Sequence, residues 1–444
     1  MKIEIFQSSH GDCLLLESAD GKRILCDGGM SSAMREYVAP ELERRCVGDP
    51  AYGLDLVYVS HVDADHISGV LVLIGNLVDW KVWQHHHDAG DEFREPDSPR
   101  APEIAAIWHN AFRDQLSERS GRIEDLLAAS APVLFATQAP EGIHAGFEMQ
   151  NVALGVDQAV QLTKLVRIGL QGVAVNRLAK SRRAEKLLMA RPRQRPIALG
   201  NFSIRIVGPT AAELEKLREG WGNWLARSEA RVAQIERTVR RQVEAFANGI
   251  GPELGEWEGV ESFRGVTVPN IASLVLLVQE GPWRILLTGD AQHDILLDQL
   301  GNAGLLRGGA LHLDVLKVQH HGAAANMSVA FARAVTADHY LFCGNGEHGN
   351  PEPEVLEQIF ASRMSPNPDI RGLAPQAAGP RPFHFWFSTS TATPASGQKA
   401  RRNFREVEEL VGDMIQRSGG RLTAHFNTGT SIECDPAGFD FTVG

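Results

Sequence analysis

The stretch VYVSHVDADHISGV, residues 57–70, constrains this 444-residue chain more than any other. An apolar, strand-like run leads directly into His61, Asp63, Asp65 and His66, four groups able to hold a metal within six residues. A carboxylate delivered there by a buried strand costs several kcal/mol if it is left unpaired. A divalent cation offsets that cost, and an inert surface loop gives no reason for such a strand to precede it. Other strand-like runs end in the same chemistry: ILCDGG carries Asp27, LLTGDAQ carries Asp290, and LKVQHHG carries His320 and His321. Singly these are weak, since an Asp before Gly-Gly is usually a turn residue and His-His before Gly is as often a plain loop end. Order and strand context make them a set. Imidazole and carboxylate donors together suit zinc, manganese or iron, with Asp oxygens favouring the harder ions. A loop of the form H-x-D-x-D-H can direct two residues to one ion and two to a neighbour, with Asp290 bridging. Two ions about 3.5–4 Å apart generate a hydroxide at neutral pH and clamp both oxygens of a phosphoryl displacement.

The surrounding chain reads as mixed α and β. Residues 2–6, 13–17 and 23–27 form a meander of short strands, followed by a strand at LDLVYVS and a helix at HISGVLVLIGNLV. WKVWQHH returns to a strand, and residues 91–195 read as an elaboration on the core. NFSIRIVGP resumes the β pattern. Trp224, Leu225, Val232, Ile235, Val239, Val243 and Phe246 then form an apolar helical stripe, which packs on its own domain or, less commonly, receives a partner. ASLVLLVQ, WRILLTGD and LDVLKVQHHG are further strands, and ADHYLFCGNGEHGNPEPEVLEQIF is a strand, a Gly-rich loop and a helix.

With 43% hydrophobic and 22% charged residues, the chain has the balance of an ordinary globular protein. No run approaches the roughly 20 apolar residues of a membrane span, and MKIEIFQSSHGDCLLLES lacks the form of a secretory signal. A cytoplasmic location is therefore expected. Five widely spaced cysteines without CxxC argue against a disulfide framework or a zinc ribbon. A net charge of −11 disfavours broad nucleic-acid binding. Against that balance, Lys164, Arg167, Arg177, Lys180, Arg182, Arg183, Lys186, Arg191, Arg193 and Arg195 face only Glu185. Such a run is a solvated surface or the seat of a phosphate-rich partner.

The motif set resembles the metallo-β-lactamase fold superfamily of hydrolases, whose motif is H-x-H-x-D-H after a strand. Asp63 stands where the second His is usual. With LLTGD, KVQHHG and NGEHGNPEPEVL, this variant resembles the branch containing the metallo-hydrolase domain of the DNA-uptake competence channel, and phosphorylcholine esterase. The likeness covers about residues 1–90 and 200–358. It implies an α/β fold, an αββα four-layer sandwich with helical insertions, over residues 1–369. The insertions fall at about 91–195 and 212–262, and residues 370–444 form a C-terminal extension of unknown role.

Carried over, the resemblance implies that His61 and Asp63 bind a first ion and Asp65 and His66 a second, with Asp290 bridging and His320 completing the second site. Zinc or manganese, one or two ions, is the expected cofactor. Asp27 would support the cluster through hydrogen bonds. Asp65, with His321 or His348 near substrate as proton donor, would make up the catalytic group. The third ligand of the first site has no counterpart; His85, His86, His87, His109 and His144 are the candidates. Asn270 and Ser273 in NIASLVLL resemble a strand entry of that branch and carry no assigned chemistry.

The implied function is metal-dependent hydrolysis by a metal-bound hydroxide, of phosphodiester or phosphomonoester bonds. The substrate would be a small phosphate-containing molecule or single-stranded nucleic acid. The alternatives are a lactone or thioester hydrolase, and a catalytically weak component acting through partner proteins reached by its insertions.

Overall fold

Alternation of apolar side chains at every second residue sets the faces of the strands. In β2 (Leu14–Glu17) and β3 (Arg23–Cys26), Leu14, Leu16, Ile24 and Cys26 enter one core, while Leu15 and Leu25 enter another. The computed structural model describes residues 1–61, 63–110, 162, 165, 166, 169, 170, 173–178, 187–215, 273–377, 379–393 and 397–436. The stripe at 224–246, His144, Asn270 and, from the basic run, Lys164, Arg167, Lys180, Arg182, Arg183 and Lys186 lie outside them.

Two large sheets organise the chain. The first contains β1 (Lys2–Phe6), β2, β3, β5 (Leu56–Val59), β7 (Ala106–His109), β8 (Ala174–Val175) and β17 (Ser431–Cys434), in the order β17-β1-β2-β3-β5-β7-β8. The second contains β9 (Ile197–Leu199), β10 (Phe202–Gly208), β11 (Val275–Glu280), β12 (Trp283–Leu287), β13 (Leu311–Lys317), β14 (Val335–Phe342), β15 (Phe383–Phe387) and β16 (Leu422–Phe426), in the order β16-β15-β14-β13-β12-β11-β10-β9. A small pair, β4 (Gly53–Leu54) with β6 (Glu103–Ile104), stands apart from both. Each large sheet is antiparallel on one side and parallel on the other. The parallel pairs β3–β5 and β12–β13 therefore end together, and their C-terminal ends carry Asp27, His61, Asp290 and His320.

One core joins the facing sheets, with Ile3, Ile5, Leu16 and Tyr58 from the first meeting Ile204, Leu276, Ile285 and Trp386 from the second. Against the other face of the first sheet lie Leu42 of α2 (Ala39–Gly48) and Ile67, Val70, Leu73 and Leu77 of α3 (Ala64–Ala89). The three-residue α1 (Ser31–Ala33) precedes them. The other face of the second sheet is covered by α4 (His293–Asn302), α5 (Val329–Ala334), α6 (Pro353–Met364) and α7 (Gln398–Arg417). Among the described residues, no helix is long and apolar enough to cross a membrane.

Three sequence expectations are corrected. WKVWQHH is the last part of α3, not a strand, because neither Pro nor Gly interrupts the helix between Val78 and Ala89. Pairs four apart, such as Trp83 and His87 stacked at 4.8 Å, hold it until Gly90 closes it at φ +78°. Residues 91–195 are more than elaboration, since β7 and β8 belong to the first sheet. Residues 370–444 supply β15 and β16 to the second sheet and β17 to the edge of the first.

Candidate metal centre

Close backbone approach builds the floor of the site. The first two turns of α3 lie against the loop after β3, where Gly28 N–H donates to the His66 carbonyl at 2.9 Å and Gly69 N–H donates to the Gly29 carbonyl at 3.0 Å. A Cβ on Gly69 would fall 1.9 Å from the Gly28 oxygen, so only glycine fits. This contact sets the helix N-terminus beside Asp27, which has φ +57°. The Asp27 carboxylate accepts from Ser60 N and Ser60 Oγ, both at 2.7 Å, and meets His66 Nδ1 at 2.9 Å. Across the gap, the Tyr58 hydroxyl donates to the Leu274 carbonyl, and Leu274 N donates to the Ser60 carbonyl at 2.7 Å. Both sheets are thereby fixed to the same strand end.

Asp63 occupies the N-cap of α3 without making the usual side-chain cap. Its Oδ2 lies 3.3 Å from His61 Nε2 instead. Asp290, on the turn after β12, stands at the centre. Its Oδ2 is 3.5 Å from His61 Nε2, 3.6 Å from His320 Nε2 and 3.7 Å from His321 Nε2, and its Oδ1 is 3.4 Å from His66 Nε2. Asp65 Oδ2 is 3.1 Å from His321 Nε2 and 3.9 Å from His66 Nε2.

Most of these separations exceed a hydrogen bond. They match the roughly 3.4 Å between neighbouring donors of a tetrahedral ion bound at about 2.1 Å. His61 Nε2, Asp63 Oδ1, His66 Nε2 and Asp290 Oδ1 are buried without a hydrogen-bond partner. The opposite nitrogens are all engaged. His61 Nδ1 meets Ser60 Oγ at 3.0 Å, His320 Nδ1 meets Asn326 Oδ1 at 2.8 Å, and His321 Nδ1 meets Asp12 Oδ1 at 2.8 Å. Four imidazoles thus direct Nε2 inward, each oriented from behind as in metal-ligating histidines. One ligand atom each from Asp12, His66, Asp290 and His321 also lies within 4.8 Å of the others. The buried His/Asp group is compatible with a divalent metal.

Charge points the same way. Asp12, Asp27, Asp63, Asp65 and Asp290 are all buried, and the ammonium of Lys317 contacts Asp12, lies 3.8 Å from Asp290 Oδ1 and donates to the Gly289 carbonyl at 3.1 Å. For the side chains alone, burial would push the imidazoles down, yet Asp290 and Asp65 hold His66 well above the usual His range. Burial likewise opposes the rise of His321, which Asp290 and Asp12 carry to about 9. Burial would raise Asp12, but Lys317 and His321 keep it well below the usual carboxylate range, and His66 with its neighbours does the same for Asp65 and Asp290. The site is one that demands positive charge.

The structure brings together His61, Asp63, Asp65, His66, Asp290, His320 and His321. His321 is buried in the Asp12 group, whereas His320 is one-third exposed. Both lie in a turn at positive φ, +46° and +55°, and the consecutive rings, 5.7 Å apart and edge-on, both direct Nε2 toward Asp290 Oδ2. His348 stands at the rim, its ring 4.7 Å from that of His10, whose Nδ1 is 3.2 Å from Glu347 Oε2. Burial and His10 lower the pKa of His348.

The candidates for a third ligand fare otherwise. His85, His86 and His87 lie at the far end of α3, roughly 30 Å along the helix from Asp65. His109 is buried at the end of β7, with both ring nitrogens unpaired and its pKa pushed down to about 4 by burial. Ser273 is buried at the entry to β11. Sequence reasoning missed Asp12, Lys317, Ser60 and Asn326; the nearest signals were Asp12 in SSHGDC, at a strand end like the others, and Lys317 beside the two histidines.

No protein-family model matches the chain, and no curated protein matches it.

Proposed function

We propose that the chain is a metal-dependent hydrolase of phosphodiester or phosphomonoester bonds, built as an αββα sandwich of the metallo-β-lactamase type. The observation that carries this reading is the set of four buried, unpartnered donor atoms, from His61, Asp63, His66 and Asp290, at the joint edge of two sheets. His61 and Asp63 would hold one zinc or manganese ion, and Asp65, His66 and His321 a second, with Asp290 between them. His320 reaches Asp290 from the more exposed side. Such ions supply acidified water and charge neutralisation at phosphoryl oxygens.

The remaining tasks fall to the chain itself. Asp27, Ser60, Asp12 and Asn326 keep the imidazoles in one orientation, so little reorganisation is needed when substrate arrives. Lys317 supports the placement of Asp12 and balances part of the local charge. His348, at the mouth, is the imidazole assigned to hand a proton to the departing oxygen. Buried His321 serves here as a ligand.

Metal analysis after zinc or manganese loading, paired with turnover of bis-p-nitrophenyl phosphate, tests the proposal. One or two ions per chain and activity abolished by Asp65→Ala are expected. Well below one ion per chain, with no turnover of any phosphoester, overturns it.

A further inference from the structure

The first two turns of α7 carry a positive patch that the metal cluster does not explain. From Gln398 to Arg405 the sequence QKARRNFR holds four cations and no acid, in a chain of net charge −11. Lys399, Arg401, Arg402 and Arg405 are exposed, while Ala400 and Phe404 turn into the core. Lys399, Arg402 and Arg405 have no ion-pair partner among the described residues. Cations at a helix N-terminus oppose the helix dipole, so the patch weakens the helix unless an anion meets it.

Its location links it to the mouth of the site. Asn403 Nδ2 donates to the Gly346 carbonyl at 2.8 Å, and Gly346, at φ +82°, is so close that an added Cβ would lie 2.8 Å from the Ala400 oxygen. The next two residues are Glu347 and His348 at the rim, and His348 is within electrostatic reach of Asp65 and His321. Lys399 lies one turn before Asn403 on the same flank of α7. The four cations span about 9 Å of helix, more than one phosphate group can cover.

We infer that the basic face of α7 holds the flanking phosphates of an extended phosphodiester strand whose reacting bond lies at the Asp290 cluster. The inference rests on the proposed function for the place of cleavage, and the grip on the strand is separately measurable. Single-strand binding loses about 0.7 in the slope of log affinity against log salt per phosphate contact removed.

The test is fluorescence anisotropy of a labelled oligothymidine with the full chain stripped of metal by chelator, as wild type and as Lys399→Glu/Arg402→Glu. Salt-dependent binding by the wild type is expected. In the variant, affinity should fall at least tenfold and the slope by roughly 1.4, while turnover of bis-p-nitrophenyl phosphate by the metal-loaded variant stays unchanged. Equal binding by both proteins overturns the inference. So does ATP displacing the strand at matched phosphate concentration, which would make a free nucleotide the occupant. Strand binding without any phosphoester turnover would sink the proposed hydrolysis and leave the strand surface standing.

Discussion

The ring of His321 and the carboxylate of Asp12 meet at 2.8 Å although 309 residues of chain separate them. This contact joins the β1–β2 loop of the first sheet to the turn after β13 in the second, and it directs His321 Nε2 toward Asp65 and Asp290. Asp12 also holds Lys317. Asp12→Asn should retain the fold but leave His321 facing a neutral amide in place of a carboxylate. A loss of roughly 10- to 100-fold in metal affinity is expected, as for other partners behind ligands, read by competition with a chromophoric chelator. Unchanged affinity would assign the Asp12–Lys317 pair to structure alone.

Gly69 lies where α3 touches the loop after β3. Because its missing Cβ would fall 1.9 Å from the Gly28 backbone oxygen, no rotamer change relieves a substitution. Gly69→Ala should cost on the order of 1–3 kcal/mol and displace His66 from Asp27, so metal binding falls along with stability. Gly75, on the same helix with open space around it, is the control. Thermal melts and metal titration of both variants check the pair; equal behaviour would mean that the close approach does not set the site.

The local part of this site was legible and the assembled part was not. His61, Asp63, Asp65 and His66 follow one apolar strand, and Asp290 and His320 end two others, so pattern and spacing exposed them. Asp12 and Lys317 acquire their roles only when the edges of two sheets meet. An Asp in SSHGDC reads as a turn, and a lysine in a strand is ordinarily exposed. The tail was also misjudged, because it lay outside the resemblance. Yet FHFWF, buried at all five positions of β15, is the run expected of a strand covered on both faces. At WKVWQHH the β preference of Trp and Val yielded to the continuing helix.

Asp338 supplies a prediction about acid stability away from the metal site. Burial would raise its carboxyl, but His312 at 3.2 Å and Arg381 at 2.5 Å lower it from 3.8 to about 2. A carboxyl depressed in the folded chain stabilises it above the unfolded value of 3.8, and the benefit fades as pH falls toward 2. The gap corresponds to roughly 2 kcal/mol. Asp338→Asn should lower the melting temperature at neutral pH and flatten its decline between pH 4 and about pH 2. An unaltered decline would assign acid lability to other carboxyls.

His320 and His321 are adjacent in sequence but placed differently, and this gives the most direct test of the ligand arrangement. His321 is buried, with Asp12 behind one nitrogen and Asp65 and Asp290 before the other. His320 is one-third exposed and approaches only Asp290, at 3.6 Å, with Asn326 behind it. Removing the His321 ring leaves Asp65 and Asp290 with one imidazole fewer in a dry site, whereas solvent can fill the place of His320. His321→Ala should therefore weaken the tighter ion by more than the roughly 100-fold that loss of an outer partner can cost. His320→Ala should retain that ion and weaken only the other. Metal content per chain across a chelator series separates the two outcomes; greater loss from His320→Ala would reverse the assignment and put His320 with Asp65 and His66.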